Sequence, residues 1–264
     1  MVESYVFEQT WESERDRLAS LEAVYDGPTR ERLAALGVGE GWRCLEVGCG
    51  AGSVARWLAE RVGGTGRVLA VDLDPRFALG VDVPGLEVRQ HDLMADPLPE
   101  GAFDLVHARA VVEHIPERDE ALRRLVAAAR PGGWVVLEDF DVEGPMADAV
   151  ARYWPSGSEE LAGRLFRALE AAFTAAGVDA GYGRRLPEAL ASAGLVEVAA
   201  RVHAPLLPGG TAFLGLTLRR LRPRLVGTGL LTDADLDATI ELTERQGVMH
   251  VPNFMVTAWG RRVG

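Results

Sequence analysis

Short apolar runs and helical patterns alternate through the first half of the chain. The apolar runs predict strands at 42–47, 67–72, 86–90, 103–108 and 133–139. Between these runs, apolar residues recur at helical spacing over 53–62, near 75–79 and over 117–129. Because parallel strands are joined by crossovers that are usually helical, this alternation predicts a parallel sheet with helices on both faces.

The two ends of the chain add further helices and two strands. Helical spacing over 11–26 and 28–36, interrupted by Gly27-Pro28, predicts two N-terminal helices. After Asp141 the pattern predicts helices at 145–153, 158–176 and 186–193, a strand at 195–202, helices at about 210–221 and 232–246, and a strand near 254–260. We therefore expect an α/β fold with a Rossmann-like, seven-stranded, mostly parallel sheet.

We expect these elements to form one domain with three parts. Residues 1–39 would form an N-terminal helical lid, and residues 40–141 the core of the sheet. Residues 142–264 would supply the remaining core elements and a helical cap, inserted at about 205–250 before the last strand. The lid and the cap would cover the ligand-binding end of the sheet from two sides.

Composition narrows the class of protein. The 264 residues are 48% hydrophobic, enough for a sizeable core, and the net charge of −11 argues against nucleic acid as a partner. The two cysteines, Cys44 and Cys49, have no metal-ligand spacing and suggest no disulfide framework. With no apolar run of membrane-spanning length and no signal-peptide pattern, we expect a cytoplasmic protein that does not bind membranes.

The most informative chemistry follows the first strand. An acid, Glu46, precedes three alternate glycines, Gly48, Gly50 and Gly52, and a helical pattern begins at Ser53. Glycines let a ligand lie against the backbone, here beside Cys49. A dinucleotide fingerprint would need glycine at position 53. The carboxylate of Glu46 instead suits a ligand that carries an ammonium group.

Acids also stand at the exits of the next two strands. Asp72 could accept hydrogen bonds from a ribose diol, and Leu73 could pack on an adenine face. Asp74 is a competing acid, but the proline after it suggests a helix cap. Asp92 could accept from the adenine amino group, with the amide of Leu93 near the ring, although a turn aspartate is also common.

These features together resemble the class I S-adenosylmethionine-dependent methyltransferases over residues 40–140. The resemblance rests on the order and spacing of Glu46-Val47-Gly48-Cys49-Gly50-Ala51-Gly52, Val71-Asp72, His91-Asp92, Phe103-Asp104-Leu105-Val106 and Pro131-Gly132-Gly133. It implies S-adenosylmethionine as cofactor, with the backbone at Ala108 and Arg109 holding the methionine part; Arg109 could instead pair with an acid. The two ends of the chain resemble actinobacterial small-molecule methyltransferases of natural-product pathways.

Methyl transfer requires alignment, exclusion of water and, for some acceptors, a base. His114, before the helix at 117–129, is the best candidate for the base, and a packing or capping role is the alternative. The resemblance suggests Tyr5 as a possible partner of His114. Asp139, at the exit of the fifth strand, could orient a cationic or hydroxyl acceptor. A catechol-type metal site is set aside because no second acid stands in the expected place.

The sequence therefore predicts methyl transfer to an O, N or C atom of a small, largely apolar molecule in secondary metabolism. Three alternatives stay open: an NAD(P)-dependent oxidoreductase, a non-catalytic S-adenosylmethionine-binding protein, and an enzyme of this fold that catalyses a rearrangement. The glycine spacing counts against the oxidoreductase, and a chain without lysine cannot carry the Tyr-x-x-x-Lys pair of short-chain dehydrogenases. The cap helices could pair subunits in a homodimer.

Overall fold

The computed structural model describes residues 11–264, with side chains described from Glu14 onward. The strands are β1 Arg43–Val47, β2 Arg67–Asp72, β3 Leu86–Gln90, β4 Phe103–Arg109, β5 Ala129–Asp141, β6 Leu195–His203, β7 Leu207–Pro208, β8 Met249–His250 and β9 Phe254–Arg262. The helices are α1 Trp11–Ala35, α2 Ser53–Val62, α3 Arg118–Ala128, α4 Pro145–Ala151, α5 Glu159–Ala175, α6 Tyr182–Ser192, α7 Ala212–Gly227 and α8 Asp233–Glu244, with single 3₁₀ turns at Pro75–Phe77 and Val112–His114.

Seven strands form one sheet in the order β3-β2-β1-β4-β5-β9-β6. The neighbouring pairs from β3 to β5 are parallel, and β9 runs antiparallel to both β5 and β6. Helix α2 buries Leu58 on one face of the sheet, while α3 and α6 bury Leu125 and Leu190 on the other. The predicted Rossmann-like, seven-stranded, mostly parallel sheet with helices on both faces is therefore confirmed.

Helix α1 is continuous, although the sequence predicts a break at Gly27-Pro28. Proline inside a helix costs roughly 3 kcal/mol. Contacts on both sides of Pro28 offset that cost. The Thr29 hydroxyl donates to the Glu138 carboxylate of β5 at 2.5 Å, and Arg30 donates to Asp26 at 2.8 Å. The Tyr25 ring is buried against Phe213 of α7. Tertiary packing therefore overrides the local stop signal.

Four helices of the second half of the chain pack against one another. Helices α4, α5, α7 and α8 share one apolar cluster that includes Trp154, Phe166, Leu218 and Leu236. Strands β7 and β8 pair antiparallel at the base of the α7–α8 hairpin. Sequence periodicity did not predict these strands, because a two-residue strand is too short for alternation to appear. Within residues 11–264, no helix is both long and apolar enough to cross a bilayer.

Candidate functional site

A cavity of about 870 Å³ opens at the carboxyl ends of β1, β2 and β4. The sheet order reverses between β1 and β4, and ligands of open α/β sheets bind at such a switch point. Loops after the strands form its floor, and helices α1 and α7 contribute to its walls. The predicted site residues that line the cavity are Glu46, Gly48, Cys49, Gly50, Asp72, Leu73, Asp92, Leu93, Arg109 and His114.

The glycine loop turns the chain from β1 into α2. Gly48, Gly50 and Gly52 have φ of +70°, +54° and +88°, a region that side chains with a Cβ rarely adopt. At Gly48 a Cβ would also meet Cγ2 of Val111 at 2.2 Å. Glycine at 48 is thus required by both backbone conformation and close packing. Gly52 lies behind the cavity surface, against Ala78.

Backbone amides of this loop donate hydrogen bonds to other groups of the protein. The amides of Gly48 and Cys49 donate to the carbonyl of Val71 at 2.8 and 3.1 Å, and the amide of Gly50 donates to Asp72 at 2.9 Å. A pyrophosphate would need such amides to be free. The loop therefore fits a ligand recognised by side-chain carboxylates better than it fits a dinucleotide.

Two carboxylates of α1 occupy the N-terminus of α2. Glu22 accepts from the amide of Ser53 at 3.3 Å, and Asp26 accepts from its hydroxyl at 3.0 Å. Burial, followed by the charge of Asp26, raises the pKa of Glu22. An anionic ligand group at this helix end would meet negative charge, a second observation against the oxidoreductase alternative.

Glu46 lies at the end of β1, almost fully buried, and lines the cavity. Its Oε2 lies 2.6 Å from Nδ1 of His107, which occupies the paired position on β4. Burial raises the pKa of Glu46, and the charge of His107 opposes that rise. The Glu46 carboxylate therefore lies on the cavity wall, and one of its two oxygens is held by His107.

Asp72 ends β2 and Asp92 lies two residues after β3, and both line the cavity. Asp72 accepts from the amide of Asp74 at 3.0 Å as well as from Gly50, and burial raises its pKa. Asp92 accepts from the amide of Met94 at 2.8 Å. Asp74 caps the turn at Pro75–Phe77 and pairs with Arg76. Since a carboxylate offers about four acceptor sites, Asp72 and Asp92 retain capacity for a ligand.

The exit of β4 forms the wall facing Glu46. Ala108 is buried behind this wall, and the cavity surface consists of Arg109, Ala110 and Val111. The Arg109 guanidinium donates to Asp26 at 2.8 Å, so its side chain pairs with an acid, and a cofactor-holding role for its backbone stays a prediction. Ala110 has φ of +54°, a strained conformation fixed by its amide, which donates to the carbonyl of Glu138 at 2.7 Å.

His114 ends the 3₁₀ turn after β4 and faces the cavity. Its Nε2 lies 3.4 Å from Oε1 of Glu113. Burial, with the positive charges of Arg17 and Arg118, lowers the pKa of His114 to about 4. The imidazole is therefore neutral near pH 7 and can accept a proton.

Asp139 does not line the cavity, contrary to the expectation that it faces the acceptor. It is buried behind the wall, where it accepts from the amide of Val111 at 3.1 Å. Burial raises the pKa of Asp139 to about 8 despite that bond. Strand β5 continues to Asp141, so Asp139 lies inside the strand, and its carboxyl supports the Val111 backbone instead of reaching the cavity. Tyr5 lies outside the described residues.

Sequence reasoning missed the residues that α1 contributes to the cavity wall, which are Leu18 and the ion pair Glu14–Arg17, joined at 2.7 Å. Phe213 of α7 also lines the cavity. An i,i+3 charge pair on a helix is usually exposed, so nothing in its spacing marked this one as buried. His107 was also missed, although a histidine within the apolar run of β4 was a usable signal.

Comparison with known proteins establishes the family. A family model described as a methyltransferase domain matches residues 10–180, more than half of the chain. The chain therefore belongs to this family and is a class I S-adenosylmethionine-dependent methyltransferase.

Individual proteins show the same relationship. Methyltransferase str2 of Strobilurus tenacellus is 29% identical over 239 residues, covering 86% of this chain and 81% of str2. Methyltransferase GfsG of Streptomyces halstedii is 32% identical over 126 residues, covering 46% of this chain and only 45% of GfsG. The structure of phosphoethanolamine N-methyltransferase 2 of Haemonchus contortus, with phosphomonomethylethanolamine and S-adenosylhomocysteine, has a TM-score of 0.59 at 14% identity. It covers 95% of this chain and 58% of that chain, and it shares the fold.

Proposed function

We propose that this enzyme transfers a methyl group from S-adenosylmethionine to an O, N or C atom of a small, largely apolar molecule in secondary metabolism. The observation that carries the proposal is one continuous cavity with two different ends. Acids and the glycine loop line the cofactor end. Apolar side chains line much of the other end: Leu21, Phe140, Val142, Phe173 and Phe213.

The cofactor end supplies a partner for each part of S-adenosylmethionine. Glu46 would bind the ammonium group and Asp72 the ribose hydroxyls. Asp92 and the Leu93 amide would bind the adenine, with Leu73 against its face. The Gly48–Gly52 loop, with Cys49, would lie along the cofactor. The backbone that leaves β4 at Ala108 and Arg109 would hold the methionine part. The loop amides bonded to Val71 and Asp72 support this fit over a dinucleotide.

The protein's own contribution to the chemistry is alignment and proton transfer. When bound, the cofactor supplies a methyl group on a sulfonium, which is already a good leaving group. The apolar wall excludes water around the acceptor. His114 would accept the proton of an O–H or N–H acceptor, since its lowered pKa keeps it neutral. Asp139 would act only indirectly, by fixing the Val111 backbone. A partner role for Tyr5 stays a prediction.

Calorimetry followed by label transfer tests this proposal. We expect S-adenosylhomocysteine to bind and NAD to give no heat. Methyl-labelled S-adenosylmethionine should then transfer label to members of a panel of apolar phenols, alcohols and amines. Binding of NAD without S-adenosylhomocysteine would contradict the proposal. Binding of S-adenosylhomocysteine with no labelled product across the panel would favour the non-catalytic alternative.

Two expectations about partners stay predictions. The net charge of −11 argues that no nucleic acid binds, which a mobility-shift assay at low salt tests. Pairing of the cap helices in a homodimer is tested by light scattering across a range of protein concentrations. A monomer at all concentrations would contradict it.

A further inference from the structure

A chain of buried polar groups runs from the cofactor wall into the sheet. Glu46 Oε2 contacts His107 Nδ1 at 2.6 Å, and His107 Nε2 faces Glu138 Oε2 at 3.5 Å. The Thr29 hydroxyl donates to the same Glu138 oxygen at 2.5 Å, and Thr257 donates to its other oxygen at 2.6 Å. This series of polar contacts thus joins the cavity wall to helix α1.

Burying these ionisable groups costs folding free energy, and a role in the site would explain why they are present. His107 is fully buried and Glu46 and Glu138 almost so, between apolar neighbours of β4 such as Val106 and Ala108. Replacing a buried ionic group by apolar residues is often neutral or stabilising, so stability alone does not explain it. Opposite His107, β5 carries Val136, showing that apolar residues fit this layer.

The charges of these buried polar groups are centred on the imidazole of His107. Burial disfavours a charged His107, but Glu46 and Glu138 outweigh this effect and raise the pKa of His107 to about 9. Burial likewise acts against a charged Glu138, yet the hydrogen bond and charge of His107, with the charge of Arg109, lower its pKa to about 2. A single imidazolium thus separates two carboxylates in the core.

We propose that His107 is a positioning residue for the cofactor, which holds the Glu46 carboxylate toward the ammonium group and, through Glu138 and Thr29, links that carboxylate to the docking of helix α1. The inference rests on the proposed role of Glu46. His107 touches neither cofactor nor acceptor, because it lies behind Glu46. Its effect is therefore specific to the ligand's ammonium group.

Two nucleosides isolate that effect: S-adenosylhomocysteine and its des-amino analogue, which keeps the carboxylate but lacks the ammonium group. The wild-type protein should bind S-adenosylhomocysteine more tightly. In His107→Leu the ratio of the two affinities should fall about tenfold, the size expected for a hydrogen bond to a charged group, while affinity for the analogue stays within about twofold. His107→Asn, which keeps an N–H donor near the Nδ1 position, should recover part of the ratio.

Thr29→Val and Thr257→Val each remove one hydroxyl donor to Glu138, and Thr29→Val also removes an acceptor that Arg109 uses at 3.0 Å. Only Thr29 belongs to α1, so Thr29→Val should lower the affinity ratio more than Thr257→Val. If His107→Leu fails to fold, His107→Asn and this pair carry the test. Equal affinity ratios in both threonine variants and the wild-type protein would then overturn the proposal.

The outcomes separate the inference from the proposed function. Equal losses of affinity for both nucleosides in His107→Leu would make His107 a structural residue and overturn the inference alone. An unchanged ratio would do the same. A wild-type protein that binds both nucleosides equally would refute the role of Glu46 and, with it, this inference. Failure of the wild-type protein to bind S-adenosylhomocysteine would refute the proposed function itself.

Discussion

At the scale of single residues, Gly48 carries the tightest constraint in the site. A Gly48→Ala protein would place a Cβ at φ of +70° and 2.2 Å from Val111. We expect affinity for S-adenosylhomocysteine to fall at least about tenfold, because either the loop or the Val111 side chain must move. Gly63→Ala is the matched control, since Gly63 has φ of +66° but only a distant neighbour at 3.6 Å.

The clash at Gly48 can be separated from the backbone strain. Val111→Ala removes the Cγ2 that the new methyl group would meet, so the double variant should recover part of the lost affinity, measured by calorimetry. Equal affinity of the single and double variants would attribute the whole loss to the φ angle and contradict the packing argument.

His114 carries the prediction for catalysis. His114→Ala should lower kcat by about 10²- to 10⁴-fold for an O–H or N–H acceptor, while affinity for S-adenosylhomocysteine stays within about twofold. With a pKa of about 4, the wild-type base is free of its proton above pH 5, so kcat should fall only as pH drops toward 4. His91→Gln, at the adenine end of the same cavity, is the control. An unchanged kcat and pH profile in His114→Ala would remove the base role.

At the scale of elements, local pattern predicted most bounds because most elements are long enough to show one. Helix α2 begins at Ser53 and ends at Val62 as predicted, since glycines stand on both sides. The predicted break of helix α1 at Pro28 was wrong, because contacts with distant residues keep the helix continuous there. The buried ion pair Glu14–Arg17 was missed for the same reason: a residue's burial depends on which element packs against it.

The docking of α1 depends on Asp26, which accepts hydrogen bonds from Ser53 of α2 and Arg109 of β4. Asp26→Ala would leave the buried Arg109 guanidinium without its acid. We expect it to reduce the free energy of unfolding by about 3 kcal/mol, measured by urea denaturation. Asp16→Ala, on an exposed position of the same helix, should change it by less than about 0.5 kcal/mol. Equal losses in the two variants would show that α1 is held by its apolar contacts instead.

At the scale of the whole molecule, the site could be predicted only where it follows strand ends. Parallel topology brings the exits of β1, β2 and β3 together, so Glu46, Asp72 and Asp92 were predictable as one group. Register across strands is not visible in a single sequence. The pairing of His107 with Glu46, and the burial of Asp139 behind Val111, therefore emerged only from the folded sheet.

The free energy of unfolding should depend on pH through two buried histidines whose pKa values are shifted in opposite directions. His107 has a raised pKa of about 9, so its contribution is full below pH 6.5 and is lost as pH rises through 9. His250 is fully buried beside Trp154, and neither ring nitrogen has a hydrogen-bond partner among the described residues. Burial lowers the pKa of His250 to about 4, so its contribution is present above pH 6.5 and is lost as pH falls toward 4.

A His250→Leu protein isolates the acid side of this profile. Leucine needs no proton in the unfolded chain, so the variant should lose less stability than the wild-type protein between pH 6.5 and pH 4. The difference should approach about 3 kcal/mol, the equivalent of the pKa change. Between pH 6.5 and pH 9 both proteins should lose stability in parallel, because His107 is intact in each. Urea denaturation at four pH values measures both limbs. Parallel curves on the acid limb as well would mean that His250 is not buried as a neutral ring beside Trp154.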